Sequence, residues 1–549
     1  MGPLARGLAL WPASPALWTW LAVGIATVLA VPIVAVVSSL ALPAGDVWLH
    51  LWRTQLLELI GHTLLLVVGV GAGTLAVGGG LAWLVVHHRF PGRAVLEWAL
   101  ILPLAVPAYV IGFAFIGLFE YSGPVQGALR HWLGPRARLP EIRSYAGVVV
   151  MMTLVFYPYV YLLARVAFRE QGAAAVEIAR TLGRSRGAAF LRITVPMARP
   201  ALVAGVALAM MEALADFGTV ATFGYRTLTE AIYRVWYGMF DRIAATQLAS
   251  VLLLFAAGLL LLERRSRGRA RFTQTARRGP VVDPVRLTGW RAAGATGACG
   301  AVLALAFLLP VGQLAWWAVG SIRAGQVAPD FAGLLWRTCV LAGTAAATAG
   351  VVAVLLAYAG RLHGTATVRV AAQLASMGYA LPGAVIAVGV LLPLAWADHV
   401  LLPPIERALG RPPALLLTGS AAGLILAYVV RFLAVGLQTV DASLNKIPPS
   451  LDDAARMLGA RVGTVLRRVH LPLVRGGLLT AIVLVFVETM KEMPATLLLR
   501  PIGLNTLAVE IWERSSEAMW QEAAVPALTL VGVGLLPVVL LIRLTSARR

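Results

Sequence analysis

Apolar residues in this chain form long runs separated by short polar segments, without the periodicity of a soluble amphipathic helix or strand. A helix that spans a bilayer needs about 20 consecutive apolar residues. Twelve runs have about that length, so we expect twelve membrane helices, near residues 18–40, 57–86, 97–119, 145–168, 200–222, 244–262, 293–320, 338–360, 370–396, 417–440, 476–500 and 523–543. The first run is too long for the apolar region of a signal peptide, and we therefore interpret it as a span.

The composition supports an all-α membrane protein and excludes several other classes. Of the 549 residues, 59% are hydrophobic and 13% are charged, whereas a soluble domain has about 25% charged residues. The two cysteines, Cys299 and Cys339, lie inside apolar runs, which argues against a disulfide framework or a zinc site. The eight histidines are dispersed. We therefore predict no catalytic residues and assign no metal ligand, and the chain is not expected to be an enzyme.

The basic residues predict the orientation in the membrane. Segments on the same side as the N-terminus hold 30 lysines and arginines, against 13 in the segments on the other side. The positive-inside rule then predicts that both termini are cytoplasmic in a bacterial inner membrane. The net charge of +21 is explained in this way, and no helix-turn-helix or aromatic context suggests nucleic acid. The expected surroundings are the lipid bilayer.

A basic segment divides the sequence. Residues 263–291 carry nine arginines together with helix-breaking glycines and prolines. We therefore predict a first six-helix half over 1–262, a cytoplasmic linker over 263–292 and a second six-helix half over 293–549.

One segment occurs in both halves. Glu177-Ile178-Ala179-Arg180-Thr181-Leu182-Gly183 is followed after nine residues by Ile193-Thr194-Val195-Pro196, and Asp453-Ala454-Ala455-Arg456-Met457-Leu458-Gly459 is followed after nine by Val469-His470-Leu471-Pro472. The offset is 276 residues throughout. In each copy a carboxylate favours the start of a short helix, and a glycine permits a turn or a close approach. An alternative is an interfacial helix held by anionic lipid, which does not explain two copies with one spacing.

The repeated segment resembles the loop of bacterial binding-protein-dependent ABC importer permeases. The resemblance implies a type I ABC importer fold, in which each loop docks on one of two copies of a cytoplasmic ATPase. We call residues 177–196 the first coupling loop and residues 453–472 the second. The implied docking residues are those that match the motif, namely Glu177, Ala179, Gly183, Ile193, Pro196, Asp453, Ala454, Ala455, Gly459, Val469 and Pro472.

The lysines indicate that ATP is hydrolysed by another polypeptide. A Walker A loop needs a lysine after glycine to reach the phosphates. Lys446 and Lys491 are the only lysines, and neither follows a glycine. ATP and Mg²⁺ are therefore expected to bind the partner ATPase, with no cofactor on this chain.

Further segments resemble fused iron(III) permeases of the FbpB type. They are Phe90-Pro91-Gly92-Arg93, the run from Leu102 to Val110, the run from Glu212 to Val220 and the run from Glu488 to Thr496. The resemblance implies ferric iron as cargo, delivered by a periplasmic binding protein. Thiamine, phosphonate and polyamine importers share the scaffold. An ion-coupled secondary transporter is another alternative, although its repeats are often inverted, whereas six spans per half make these repeats parallel.

Four acidic residues inside the spans are candidates for the translocation path, because intramembrane charges are costly and commonly functional. Glu212 and Asp216 are four residues apart, which predicts one shared helix face, and the 276-residue offset relates them to Glu488 and Glu492. A helix that starts near residue 200 would place Glu212 and Asp216 roughly 18 and 24 Å from its start. Oxygen ligands suit a hard cation. The alternative is local neutralisation, for example by Lys491 or Arg500.

Overall fold

The chain folds almost entirely into helices, and a computed structural model describes residues 15–43, 45–170, 192, 194–267, 284–408 and 416–546. Within these residues, twelve helical segments are long and apolar enough to cross a membrane. The prediction of an all-α membrane protein with twelve spans is therefore confirmed. A two-stranded parallel pairing of β1 (His88–Arg89) with β2 (Val285–Arg286) is the sheet found in the described part.

The helices group into two compact units. The repeat-1 unit comprises Pro43–Phe331 and Leu507–Arg549, and the repeat-2 unit comprises Met1–Leu42 and Ala332–Thr506. Each unit thus combines one copy of the repeat with segments from the other end of the chain. This grouping by packing differs from the sequence halves 1–262 and 293–549, whose boundaries and linker stay a prediction.

The helices of the repeat-1 unit include seven of the twelve candidate spans and several short connecting helices. In chain order they are α2 (Asp46–Thr54), α3 (Leu56–His87), α4 (Arg93–Ala99), α5 (Ala108–Phe119), α6 (Pro124–Leu133), α7 (Tyr145–Glu170), α8 (Val195–Ala215), α9 (Gly218–Thr222), α10 (Leu228–Tyr233), α11 (Arg242–Arg267), α12 (Gly289–Leu303), α13 (Leu309–Arg323), α23 (Leu507–Ser516) and α24 (Trp520–Ser546). The centre is the packing of α3 on α7, with α8 against both, and α24 packs on α13.

The repeat-2 unit is built around corresponding helices. They are α1 (Pro15–Ser38), α14 (Phe331–Leu362), α15 (Ala366–Ala375), α16 (Gly383–Trp396), α17 (Leu402–Ala408), α18 (Ala421–Leu444), α19 (Ser450–Met457), α20 (Val462–Val465), α21 (Leu471–Lys491) and α22 (Pro494–Leu499). Helix α18 packs on α21, and α1 packs on α15 and α16. The first span therefore belongs by packing to the second copy of the repeat.

Proline interrupts one predicted span in each repeat. Pro107 and Pro382, 275 residues apart, have nearly the same extended backbone, with φ of −58° and −56° and ψ of 141° in both. The residue before a proline is disfavoured in the helical region. The apolar runs predicted as helices over 97–119 and 370–396 therefore fold as a short helix, a 3₁₀ turn and a new helix that starts after the proline.

Candidate functional site

The second coupling loop begins with the short helix α19. Asp452 and Asp453 lie in its first turn, where a carboxylate interacts favourably with the helix dipole. The helix ends before Gly459, whose φ is +74°. Glycine adopts this left-handed conformation without the steric cost that other residues have. The helix and turn that the motif predicts are therefore present, and Asp453, Ala454 and Gly459 are exposed while Ala455 is half-buried.

Two large apolar side chains protrude at the end of α19. Met457 is 89% exposed and Leu458 is 88% exposed. Both side chains are therefore accessible for contact with another protein. Neither residue was predicted to be functional from the sequence, although Leu182 and Leu458 match at the repeat offset. That match is the signal in the sequence from which Leu458 could have been predicted as part of the loop surface.

The second coupling loop connects to α21 through a widened turn. Residues Leu466–His470 form a π-helical turn, and the Leu471 amide donates to the Leu466 carbonyl. Pro472, the second residue of α21, has no N–H to continue an ordinary helical ladder. Val469 is half-buried in this turn and Pro472 is exposed. Pro472 thus lies in the first turn of the span that follows the loop.

The first coupling loop falls mostly outside the described residues. Glu177, Ala179, Gly183 and Ile193 are among the residues that the structure does not describe. Pro196 is described, and it is the second residue of α8, as Pro472 is of α21. The docking roles of both loops stay predictions.

The first acidic pair lies where a predicted span ends early. Helix α8 stops at Ala215, and Asp216 is extended, with φ of −76° and ψ of 115°. Its carboxylate accepts the Thr219 amide at 2.7 Å and the Thr219 hydroxyl at 2.8 Å. The expectation that Glu212 and Asp216 share one helix face is therefore wrong, because Asp216 lies in the break and caps α9. Both side chains are half-buried.

The second acidic pair repeats this break. Helix α21 stops at Lys491, and Glu492 has φ of −73° and ψ of 116°. The Glu492 carboxylate accepts the amides of Ala495 and Thr496 at 3.0 and 3.1 Å and the Thr496 hydroxyl at 3.0 Å. Only 4% of Glu492 is exposed. It therefore caps α22 from a buried position.

Basic side chains pair with both acids of the second repeat. Arg431 Nη1 lies 3.3 Å from Glu492 Oε1, and Lys491 Nζ lies 2.9 Å from Glu488 Oε1. Arg500 instead donates to Asn505. The alternative of local neutralisation thus holds for Glu488, which pairs with Lys491, and for Glu492, which pairs with Arg431, a residue that was not predicted from the sequence. A lone arginine near the middle of the run 417–440 was the available signal.

Comparison with known proteins agrees with this organisation. The family described as binding-protein-dependent transport system inner membrane component matches the chain twice, over residues 69–264 and 349–549. Each match contains one coupling loop and one of the acidic helix breaks.

Several characterised transport permeases are similar in sequence. The Fe(3+)-transport system permease protein FbpB 2 of Haemophilus influenzae is 26% identical over 498 residues, which are 89% of this chain and 90% of that protein. The sulfate permease CysT of Escherichia coli is 35% identical over 33% of this chain and 65% of its own length. The molybdenum permease ModB of Escherichia coli is 29% identical over 33% of this chain and 78% of its own length.

The two family matches together span more than half of the chain, and they coincide with the two copies of the repeat. They imply a periplasmic binding protein and an ATPase as partners, and a multi-pass location in the inner membrane. The chain belongs to the inner membrane component family of binding-protein-dependent transport systems, as a fused permease with two copies of the family domain.

Proposed function

We propose that this permease carries ferric iron from a periplasmic binding protein to the cytoplasm. The observation that carries the proposal is the similarity to an iron(III) permease over 89% of this chain and 90% of that relative. The sulfate and molybdenum permeases match over a third of the chain. Similarity along both repeats is the stronger support, because it extends over nearly the whole of both chains.

Two copies of the ATPase dock on this one chain, one at each coupling loop. The spacing of the two loops supports this stoichiometry, as does the exposure of Met457 and Leu458 beside Gly459. ATP and Mg²⁺ bind the ATPase subunits. Both loops and both chain termini face the cytoplasm, in keeping with the excess of lysine and arginine on that side.

The four acids line or border the path. Glu212 and Glu488 lie in the last turn of their spans, and Asp216 and Glu492 follow directly at the breaks. From Val195 to Ala215 a helix extends about 30 Å, so the breaks lie near the far side of the membrane from the coupling loops. Carboxylates at an outer opening favour entry of a cation.

An oxyanion such as sulfate or molybdate is a second candidate cargo. Arg431 favours it, because this arginine lies near the middle of α18 and is 15% exposed at its side chain. A guanidinium also pairs with oxyanions in a bidentate manner.

A reconstituted transport assay tests these proposals. The permease, its ATPase and its binding protein are placed in proteoliposomes, and uptake of radiolabelled ferric iron, sulfate and molybdate is compared with and without ATP. We expect ATP-dependent uptake of iron that an uncoupler does not abolish. Uptake of an oxyanion alone would contradict the iron assignment, and uptake that needs an ion gradient but no ATP would contradict the import mechanism.

A further inference from the structure

Arg361, in the last turn of α14, contacts three parts of the repeat-2 unit at once. Its Nε donates to Asp452 Oδ2 at 2.9 Å, its Nη1 to the Leu444 carbonyl at 2.6 Å and its Nη2 to the Ile447 carbonyl at 3.0 Å. Leu444 is the last residue of α18, Ile447 lies in the following turn and Asp452 is in α19. One planar guanidinium therefore ties the coupling helix to the ends of two spans.

The other oxygen of Asp452 contacts the start of a third span. Asp452 Oδ1 lies 2.5 Å from His470 Nε2, and His470, which is 1% exposed, directly precedes α21. The ring of His470 packs edge-on against Tyr358 of α14 at 5.5 Å. The Tyr358 hydroxyl donates to the Val462 carbonyl at 3.1 Å. Asp452 is thus bonded on both sides, to α14 and to the turn that enters α21.

These contacts are suited to fixing an orientation. The side chains of Arg361 and Asp452 are 13% and 16% exposed, so their charges are largely removed from water. Hydrogen bonds between ionised groups are shorter and stronger than neutral ones, and the guanidinium presents its donors in a rigid fork. Much of α19 beyond Asp452 is exposed, including Asp453 and Ala454. Asp452 is therefore a principal attachment of the coupling helix to the spans.

The first repeat does not keep the three residues of this cluster. At the offset of 275 that relates Pro107 to Pro382, Arg361 corresponds to Val86. At the offset of 276 that relates the coupling loops, Asp452 corresponds to Val176 and His470 to Thr194. None of these side chains is ionisable. The three ionisable side chains of this cluster are therefore specific to the second repeat.

We propose that Arg361, Asp452 and His470 form an ionic clamp that makes the second coupling helix move as one body with α14 and α21. They are positioning residues, and the inference rests on the coupling role proposed for this loop. The clamp transmits closure of the docked ATPase to the spans on the repeat-2 side.

Two measurements on the reconstituted complex test the clamp. Hydrogen exchange of amides 450–457 reports local opening of the coupling helix, and uptake per ATP hydrolysed reports coupling. In Arg361→Gln we expect exchange at 450–457 to rise about tenfold and uptake per ATP to fall about tenfold, while the ATPase still co-purifies. Arg369→Gln is the matched control, since Arg369 is exposed and its guanidinium donates only to the nearby Gly364 carbonyl among the hydrogen bonds described.

Two substitutions at His470 separate positioning from packing. The amide nitrogen of Gln reaches about where Nε2 lies, so His470→Gln should retain both exchange protection and coupling. His470→Leu keeps apolar packing against Tyr358 but cannot bond Asp452, and it should behave like Arg361→Gln. Equal behaviour of the Gln and Leu variants would overturn the positioning role.

The remaining outcomes are also decisive. Unchanged exchange at 450–457 in Arg361→Gln would overturn the clamp. Faster exchange with normal uptake per ATP would overturn its role in coupling. If the wild-type complex transports no cargo with ATP, the proposed function fails, whereas the exchange measurement still decides whether the clamp exists.

Discussion

Asp216 and Glu492 lie 276 residues apart and end their helices in the same way. Their backbone angles agree within a few degrees, and each carboxylate accepts the amide of the third residue beyond it, Thr219 in one case and Ala495 in the other. The glutamate is longer by one methylene, and it also bonds the Thr496 amide and Arg431. Each acid therefore has a structural role that is independent of any cargo.

The cap at Asp216 can be tested by its effect on stability. Asp216→Ala removes the acceptor for the Thr219 amide and should lower the free energy of unfolding by about 1 kcal/mol. Asp216→Asn retains an acceptor oxygen and should unfold close to wild type. Thermal unfolding of the purified permease in detergent measures the difference. Equal losses in the two variants would indicate that the cap contributes little and that the charge itself matters.

The ion pair between Arg431 and Glu492 predicts a non-additive pattern. Glu492→Gln leaves a mostly buried guanidinium without its counter-charge, for which the cost is about 3–5 kcal/mol. Arg431→Met leaves the carboxylate in the same position and should also be strongly destabilising. The double variant removes both charges and should be more stable than the sum of the single effects implies. Additive losses in a double-mutant cycle would count against direct pairing.

Gly383 is predicted to be required beside this pair. A Cβ at position 383 would lie 2.2 Å from Arg431 Nη1 and 2.6 Å from Glu492 Oε1, which is closer than non-bonded atoms approach. Gly383→Ala should therefore displace the guanidinium and lower the melting temperature. Gly343→Ala in α14 is the control, because its Cβ would meet nothing within 4 Å, and alanine there should be neutral or stabilising. A Gly383→Ala variant that melts at the wild-type temperature would contradict the crowding.

Hydropathy predicts the number of spans but not where they break. Apolar residues such as Phe217 and Val220 follow Asp216, so the apolar run in the sequence extends across the break in the helix. The break depends on a carboxylate that caps the next helix, which a count of apolar residues does not register. The proline breaks at Pro107 and Pro382 were readable from residue type, but the apolar runs continue through them as well.

The repeat predicts the coupling loops, and it also explains what sequence reasoning missed. Residues that keep their type at the 276-residue offset, such as Gly183 and Gly459, are visible as a pattern. Arg361 and His470 differ between the copies, and they meet Asp452 only because α14, α19 and α21 pack together. A contact made by tertiary packing in one copy leaves no signal in a search for what the copies share.

Substitutions of Gly459 distinguish backbone shape from docking contact. A Cβ at Gly459 meets nothing within 4 Å, so the cost of alanine comes from the φ of +74°, at about 1–2 kcal/mol. Asparagine tolerates this conformation better than alanine. We expect uptake to follow the order Gly, Asn, Ala, Trp, with Gly459→Trp lowest because its side chain would occupy the docking surface. Full uptake by a well-expressed Gly459→Trp variant would contradict docking at this turn.

The acidic residues give a separate prediction about the cargo. Glu212→Gln with Asp216→Asn keeps side-chain volume and the cap on α9, but removes two negative charges from a region where charge interactions are strong. If these acids guide a cation, iron uptake should fall about tenfold while the ATPase still co-purifies. The matched control is Glu488→Gln with Lys491→Met. It removes a carboxylate at the corresponding repeat position together with the lysine that pairs with it at 2.9 Å. The local net charge is therefore unchanged. This control should transport iron nearly as well as wild type. Extending the substitutions to all four of Glu212, Asp216, Glu488 and Glu492 should abolish iron uptake, and thermal unfolding of the same variant measures the separate loss of stability that Glu492→Gln causes by leaving Arg431 without its counter-charge. Normal iron uptake in that quadruple variant would rule out a cation path along these residues.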